Sequence, residues 1–61
     1  MEQSKYYIVK RLEGHCEIIT SEQLLQEDQE KILQKWGSYD SQSQAFAQRV
    51  GLIRAGKCQP I

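Results

Sequence analysis

Two apolar, β-branched runs lie a few residues apart near the start of this chain, "KYYIVKR" at 5–11 and "CEIIT" at 16–20. Valine, isoleucine and tyrosine suit a pleated, half-buried surface. The link between them contains Gly14, which takes the positive φ of a tight turn at no steric cost. A link this short cannot carry a parallel crossover, which needs about a dozen residues or more. The pair is therefore predicted to be an antiparallel hairpin, and the rest of the chain must arrange itself around it. Tyr6 and Ile8 fall on one face of the first strand, Tyr7 and Val9 on the other. Apolar residues on both faces suit a central strand, or a sheet whose second face meets another protein.

An isolated two-stranded ribbon is marginal in water, so the sequence between 21 and 39 matters. It admits two readings. Thr20 with Gln23 resembles a capping box, and a helix over 21–36 would place Leu25, Ile32 and Trp36 on one face, with Gly37 as its stop. The competing reading is a polar, partly helical connection to a third strand, "ILQKWGSY", carrying Ile32, Trp36 and Tyr39. Periodicity does not separate them. The marginal stability of a lone hairpin favours the third strand.

The clearest helix is "DSQSQAFAQRVGLIRAGK". Asp40 or Ser41 is its N-cap. Ala45, Phe46, Val50, Leu52 and Ile53 share one broad arc of the wheel, as a core-facing helix requires. Arg54 and Lys57 complement the negative end of the helix dipole, Gly56 suits a left-handed terminator, and Pro60 stops continuation. Gly51 inside the helix costs about 1 kcal/mol relative to Ala, which predicts a close contact there to offset it. The predicted fold is α+β: a small two-layer single domain, 1–61, with a short antiparallel sheet (the N-terminal hairpin plus a third strand) covered by the C-terminal helix. Its expected core is Tyr6, Ile8, Ile18, Trp36, Phe46, Val50 and Ile53.

The end of that helix, "GLIRAGKC", nearly spells the phosphate-cradling signature G-x-x-x-x-G-K-[ST]. A phosphate loop follows a strand and precedes a helix, so that backbone N–H groups face the phosphates. Here the order is inverted, and carbonyls with negative partial charge face outward. Cys58 also stands where a magnesium-binding hydroxyl would be needed. The segment reads as a helix terminus, not a nucleotide site.

At 61 residues a domain buries only about 60% of the surface its unfolded chain exposes, and commonly leans on a disulfide, a metal or a partner chain. No apolar run is long enough to span a membrane, and the start lacks a charged-then-apolar signal. The expectation is a cytoplasmic protein with no membrane contact. Cys16 and Cys58 are too few for a disulfide framework. In a reducing compartment they are expected as free thiols, with a single bridge as the alternative for an exported chain.

The chemistry of catalysis finds little support. His15, Cys16 and Cys58 lack the closely spaced pairs of a structural zinc site. His15 and Cys16 adjoin one another, so in a strand they point to opposite faces, which places His15 badly to activate the thiol. No metal, cofactor or catalytic residue is implied, and a non-enzymatic role is expected.

Charge is more informative. The total is zero, yet Glu13, Glu17, Glu22, Glu27, Asp28 and Glu30 occupy 12–30 without a Lys or Arg, whereas Arg49, Arg54 and Lys57 occupy 41–61 without an acid. Segregated signs allow internal pairing, head-to-tail association or a partner with a complementary face. Lys10, Arg11, Arg49, Arg54 and Lys57 are the candidate residues for binding a partner or nucleic acid, with Tyr7 and Tyr39 as candidate interface aromatics. The expected function is a small protein-interaction or regulatory module that binds a partner protein or itself. The alternative is nucleic-acid binding through a basic patch on the C-terminal helix.

Two resemblances accompany this reading. The strand, "WGSYDS" and the Ala-containing helix resemble the β-turn-α element of sporulation-related-repeat (SPOR) peptidoglycan-binding modules over about a quarter of the chain, with Ser38 in place of the usual Pro. More extensively, "YYIVKRLEGHCEI", "KWGSYDSQSQA" and "RVGLIRAGKCQP" resemble a family of short uncharacterised cyanobacterial proteins. Its members are sometimes labelled "DDE transposase family". Three carboxylates gathered around two metals on a far larger fold exceed what this chain can build. The resemblance implies a cyanobacterial cytoplasm and no established activity.

Overall fold

A computed structural model describes residues 5–59. The hairpin forms as expected, from β1 (Tyr6–Arg11) and β2 (Cys16–Thr20). Arg11 N–H donates to His15 O, Gly14 N–H donates to Arg11 O, and Gly14 has φ +109°, the pattern of a three-residue hairpin loop closed by a glycine bulge.

Thr20 then caps α1 (Ser21–Gln26) with a complete capping box. Its hydroxyl accepts from Gln23 N–H at 3.2 Å, and the Gln23 side chain accepts from Thr20 N–H at 2.9 Å. A 3-10 turn at Gln29–Lys31 leads into β3 (Ile32–Tyr39). The third strand is therefore present, and the helix reading of 21–36 survives only as its first six residues, Ser21–Gln26.

The sheet is antiparallel with strand order β2-β1-β3, so β1 is central, as its two apolar faces require. The helix α2 (Gln42–Arg54) begins on Ser41, whose hydroxyl accepts from Gln44 N–H at 3.2 Å. It ends at Gly56, φ +80°, with Lys57 N–H turned back to Leu52 O. The segment "GLIRAGKC" is thus a helix C-terminus, as its position in the sequence predicts.

On the α2 side, Ile8, Cys16, Ala45 and Cys58 are buried, and Tyr6, Ile18, Trp36, Tyr39, Leu52 and Ile53 pack around them. Cross-strand partners share this face: Ile8 stands opposite Ile18 on one side and Trp36 on the other. Two helix expectations fail here. Phe46 is 56% exposed and Val50 lies outside the cluster, while Ala45, Leu52 and Ile53 meet the sheet; Phe46 is only about 20° from Ile53 on the wheel, so position along the helix, and not its face, separates the two. Gly51 has nothing within 4 Å of where a Cβ would stand, so no close contact offsets its cost.

The opposite face of β1 is not left for a partner. Val9 is 0% and Ile19 6% exposed. Arg11, two residues beyond Val9 on that face, reaches Glu27 at the end of α1, which draws α1 over this side.

Gly37 plays a different part from a helix stop. It lies within β3 at φ +141°, where a Cβ would stand 2.6 Å from Tyr7 Cδ2. The Tyr7 ring covers the glycine directly across the register, and the strand shifts register beside it, between Tyr6 and Tyr7.

The two cysteines are joined. A disulfide links Cys16 to Cys58, with a Cα–Cα distance of 5.6 Å, inside the usual bridging range. The expectation of free thiols is corrected: sequence separation hid two positions that the fold brings together at the head of β2. Gln59 continues alongside, its N–H donating to Gly14 O at 3.0 Å in a parallel bridge with His15. So few fully buried side chains make a small core, and the cross-link supplies what apolar burial alone would not.

Candidate functional site

The free edge of β2 borders a cleft of about 470 Å³ lined by Arg11, Cys16, Glu17, Ile18, Ile19, Gln23, Glu27 and Arg49. Its geometry follows from the ladder. Arg11 N–H bonds His15 O and Ser21 N–H bonds Lys5 O, which fixes 5/21, 7/19, 9/17 and 11/15 as the hydrogen-bonded pairs with β1. The backbone groups of Cys16, Ile18 and Thr20 consequently point away from β1, along the edge. Most are occupied. Cys16 O accepts from Arg49 Nε at 2.9 Å, and Thr20 N–H donates to Gln23. The parallel bridge at His15 and Gln59 covers the edge beside Cys16. Among the described residues nothing pairs with the N–H and C=O of Ile18, at the centre of the edge.

A charged cluster walls the cleft on the side of Val9. The Arg11 guanidinium donates through Nε to Glu17 Oε1 at 2.8 Å and through Nη1 to Glu27 Oε1 at 2.7 Å, with its side chain 17% exposed. These bonds hold the carboxyls of both Glu17 and Glu27 below the ordinary glutamate range, against the opposing effect of desolvation. The same partners raise the Arg11 pKa further, so it stays cationic. His15 Nε2 lies 3.3 Å from Glu17 Oε2. With one guanidinium against two carboxylates the cluster carries a net negative charge, and its hydrogen bonds are made within it.

Arg49 differs. Its Nε is anchored on Cys16 O, and among the described residues no carboxylate lies within ion-pair distance of its guanidinium. The strand carbonyl therefore holds the fork beside the free edge, with its Nη donors uncommitted among the described residues.

The structure scatters the sequence candidates. Arg11 and Arg49 both line the cleft, but Arg11 is neutralised by two glutamates. Lys10 is cross-strand from Cys16, and Lys57 adjoins the bridged Cys58, so these two share the disulfide end of the sheet. Arg54 is exposed in the last turn of α2. Neither aromatic stands free: Tyr7 covers Gly37, and Tyr39 packs against the core. Both thiols are consumed by the bridge, which removes them as zinc ligands or nucleophiles. Sequence reasoning missed Gln23 as an edge cap, Glu17 and Glu27 as the partners of Arg11, and Ile18 as the open backbone position. The capping box at Thr20 was the available signal for Gln23, since it ties α1 to the last residue of β2.

Compared with protein-family models, curated proteins and solved structures, the chain matches none.

Proposed function

We propose that this domain is a protein-interaction module that takes an extended segment of a partner chain, from another protein or a second copy, as an added strand on β2. The observation that carries the reading is the outward N–H and C=O of Ile18, unpartnered among the described residues, on a residue that lines the 470 Å³ cleft. Strand addition draws affinity from such main-chain groups and specificity from flanking side chains. The other edge is less suited. β3 shifts register near both ends and carries Lys35 in its middle, features that discourage edge pairing. Within the acidic stretch Glu17 and Glu27 pair with Arg11, whereas Arg49, Arg54 and Lys57 of the C-terminal third make no ion pair among the described residues. The bridge between Cys16 and Cys58 supports an oxidising compartment, in place of the cytoplasm expected from the sequence.

Panning a random linear peptide library on the protein tests this. Enriched peptides should bind the parent and lose binding to Ile18→Pro, which deletes the outward N–H while the bonds to β1, made by Glu17 and Ile19, remain. Retention of the parent's near-ultraviolet circular dichroism checks the fold. Failure to enrich any linear peptide, or equal binding to folded Ile18→Pro, would reject the proposal.

A further inference from the structure

We infer that the β2 edge is built to receive the carboxyl end of a polypeptide, its terminal carboxylate held by Arg49. The inference rests on the strand-addition reading above and specifies its ligand. Three observations converge. First, Arg49 lies in line with the edge, because its Nε donates to the outward carbonyl of Cys16 at 2.9 Å. A guanidinium anchored through Nε presents its Nη pair as a planar fork, which matches the two oxygens of a carboxylate. Second, that fork has no acidic partner among the described residues, whereas Arg11 across the same cleft has two. Third, the edge stops where Arg49 sits. Gln59 pairs with Gly14 O and bridges His15, so a strand laid against Ile18 has no further edge beyond Cys16. A chain passing through would have to turn out of the sheet; a chain that ends there need not.

These constraints also set polarity. With its terminus at Cys16 and its body along Ile18 toward Thr20, the bound segment runs antiparallel to β2. Its residue opposite Ile18 exchanges main-chain hydrogen bonds with the Ile18 N–H and C=O. Arg11 offsets one of the two negative charges on Glu17 and Glu27, so the remaining charge works against an incoming carboxylate and the Arg49 pairing has to outweigh it.

The test uses three short acetylated peptides on the intact, oxidised protein: Val-Thr-Val as the free acid, the same peptide amidated, and amidated Val-Glu-Val. Backbone ¹⁵N shifts at Ile18 and side-chain ¹⁵Nε shifts at Arg49 are followed during titration. The free acid should bind roughly tenfold or more tightly than its amide, the difference expected of one charge-assisted pair. It should move both the Ile18 amide and Arg49 Nε, and the preference should weaken with added salt. Arg49→Gln should abolish the preference, and Arg49→Lys should restore part of it. Because Arg49 also bonds Cys16 O, the shift and salt measurements on the parent protein stand independently of the variants. Equal affinity for acid and amide, with the Ile18 amide shifting in both, would overturn the carboxylate assignment and leave strand addition standing. Amidated Val-Glu-Val matching the free acid would overturn the assignment to a chain end. No shift at Ile18 with any peptide would overturn strand addition and this inference together.

Discussion

Removing the Cys16–Cys58 bridge should take away a large share of this domain's stability. The residues are 42 apart in sequence. Closing a loop of that size removes about 13 cal/mol/K of entropy from the unfolded chain, or about 4 kcal/mol at 25 °C. A domain of this length has a total stability of roughly 3–9 kcal/mol, so the loss runs from just under half of it to all of it. Both cysteines are buried, at 1% and 4% exposure, so the cleanest perturbation is the double Cys16→Ala, Cys58→Ala variant, which deletes the link without placing a hydroxyl in the core. Urea unfolding of parent and variant, followed by circular dichroism, should show a stability difference of about 4 kcal/mol. The melting temperature should fall on the order of 20 °C, given several degrees per kcal/mol for so small a domain. Reduction of the parent should reproduce the shift. A difference under about 1 kcal/mol would mean that the cross-link constrains little, and would refute the view that the small core depends on it.

Three further outcomes follow from single positions. Gly51→Ala should raise stability by about 1 kcal/mol in the same urea assay, because the new methyl meets open space inside a helix. Gly37→Ala should lower it by roughly 1–3 kcal/mol, since φ is +141° and the Cβ would strike the Tyr7 ring; an unchanged midpoint would remove the argument for that glycine. Glu17, Glu27 and Asp40 are held below their ordinary range by Arg11, Arg11 and Lys5 respectively. Their stabilisation is complete above the unfolded carboxylate pKa, about 4, and is lost as pH falls through the lower folded values. Arg11→Met should flatten the fall of thermal midpoint below about pH 4 relative to the parent, and a superimposable pH profile would contradict the pairing.

How much of this was legible in the sequence depends on the range of the interactions. The hairpin, the capping box at Thr20 and the terminator at Gly56 are local, and each was written in neighbouring residues. The third strand was legible only indirectly, through the instability of a lone hairpin, because "ILQKWGSY" has no clean period of two: the register shifts beside Ser38 and Leu33 break the alternation. The wheel of α2 puts Phe46 on nearly the same side as Ile53, so it could not show that Ala45, Leu52 and Ile53 meet the sheet while Phe46 does not. The disulfide, the Arg11–Glu27 pair and the covering of Gly37 by Tyr7 each join residues far apart in the chain, and no local pattern encodes them. The binding edge was hidden for another reason. It is a property of the backbone of Ile18, set by ladder parity, and its side chain gives no sign of it.

Amide hydrogen exchange, resolved residue by residue along β2, tests the open edge most directly. Glu17 and Ile19 donate to β1 and should exchange only on global unfolding. Ile18, between them, should exchange much faster in the free protein and slow on addition of a bound peptide. Protection of Ile18 equal to that of its two neighbours in the free protein would mean that the edge is already occupied, and the proposed site would not exist.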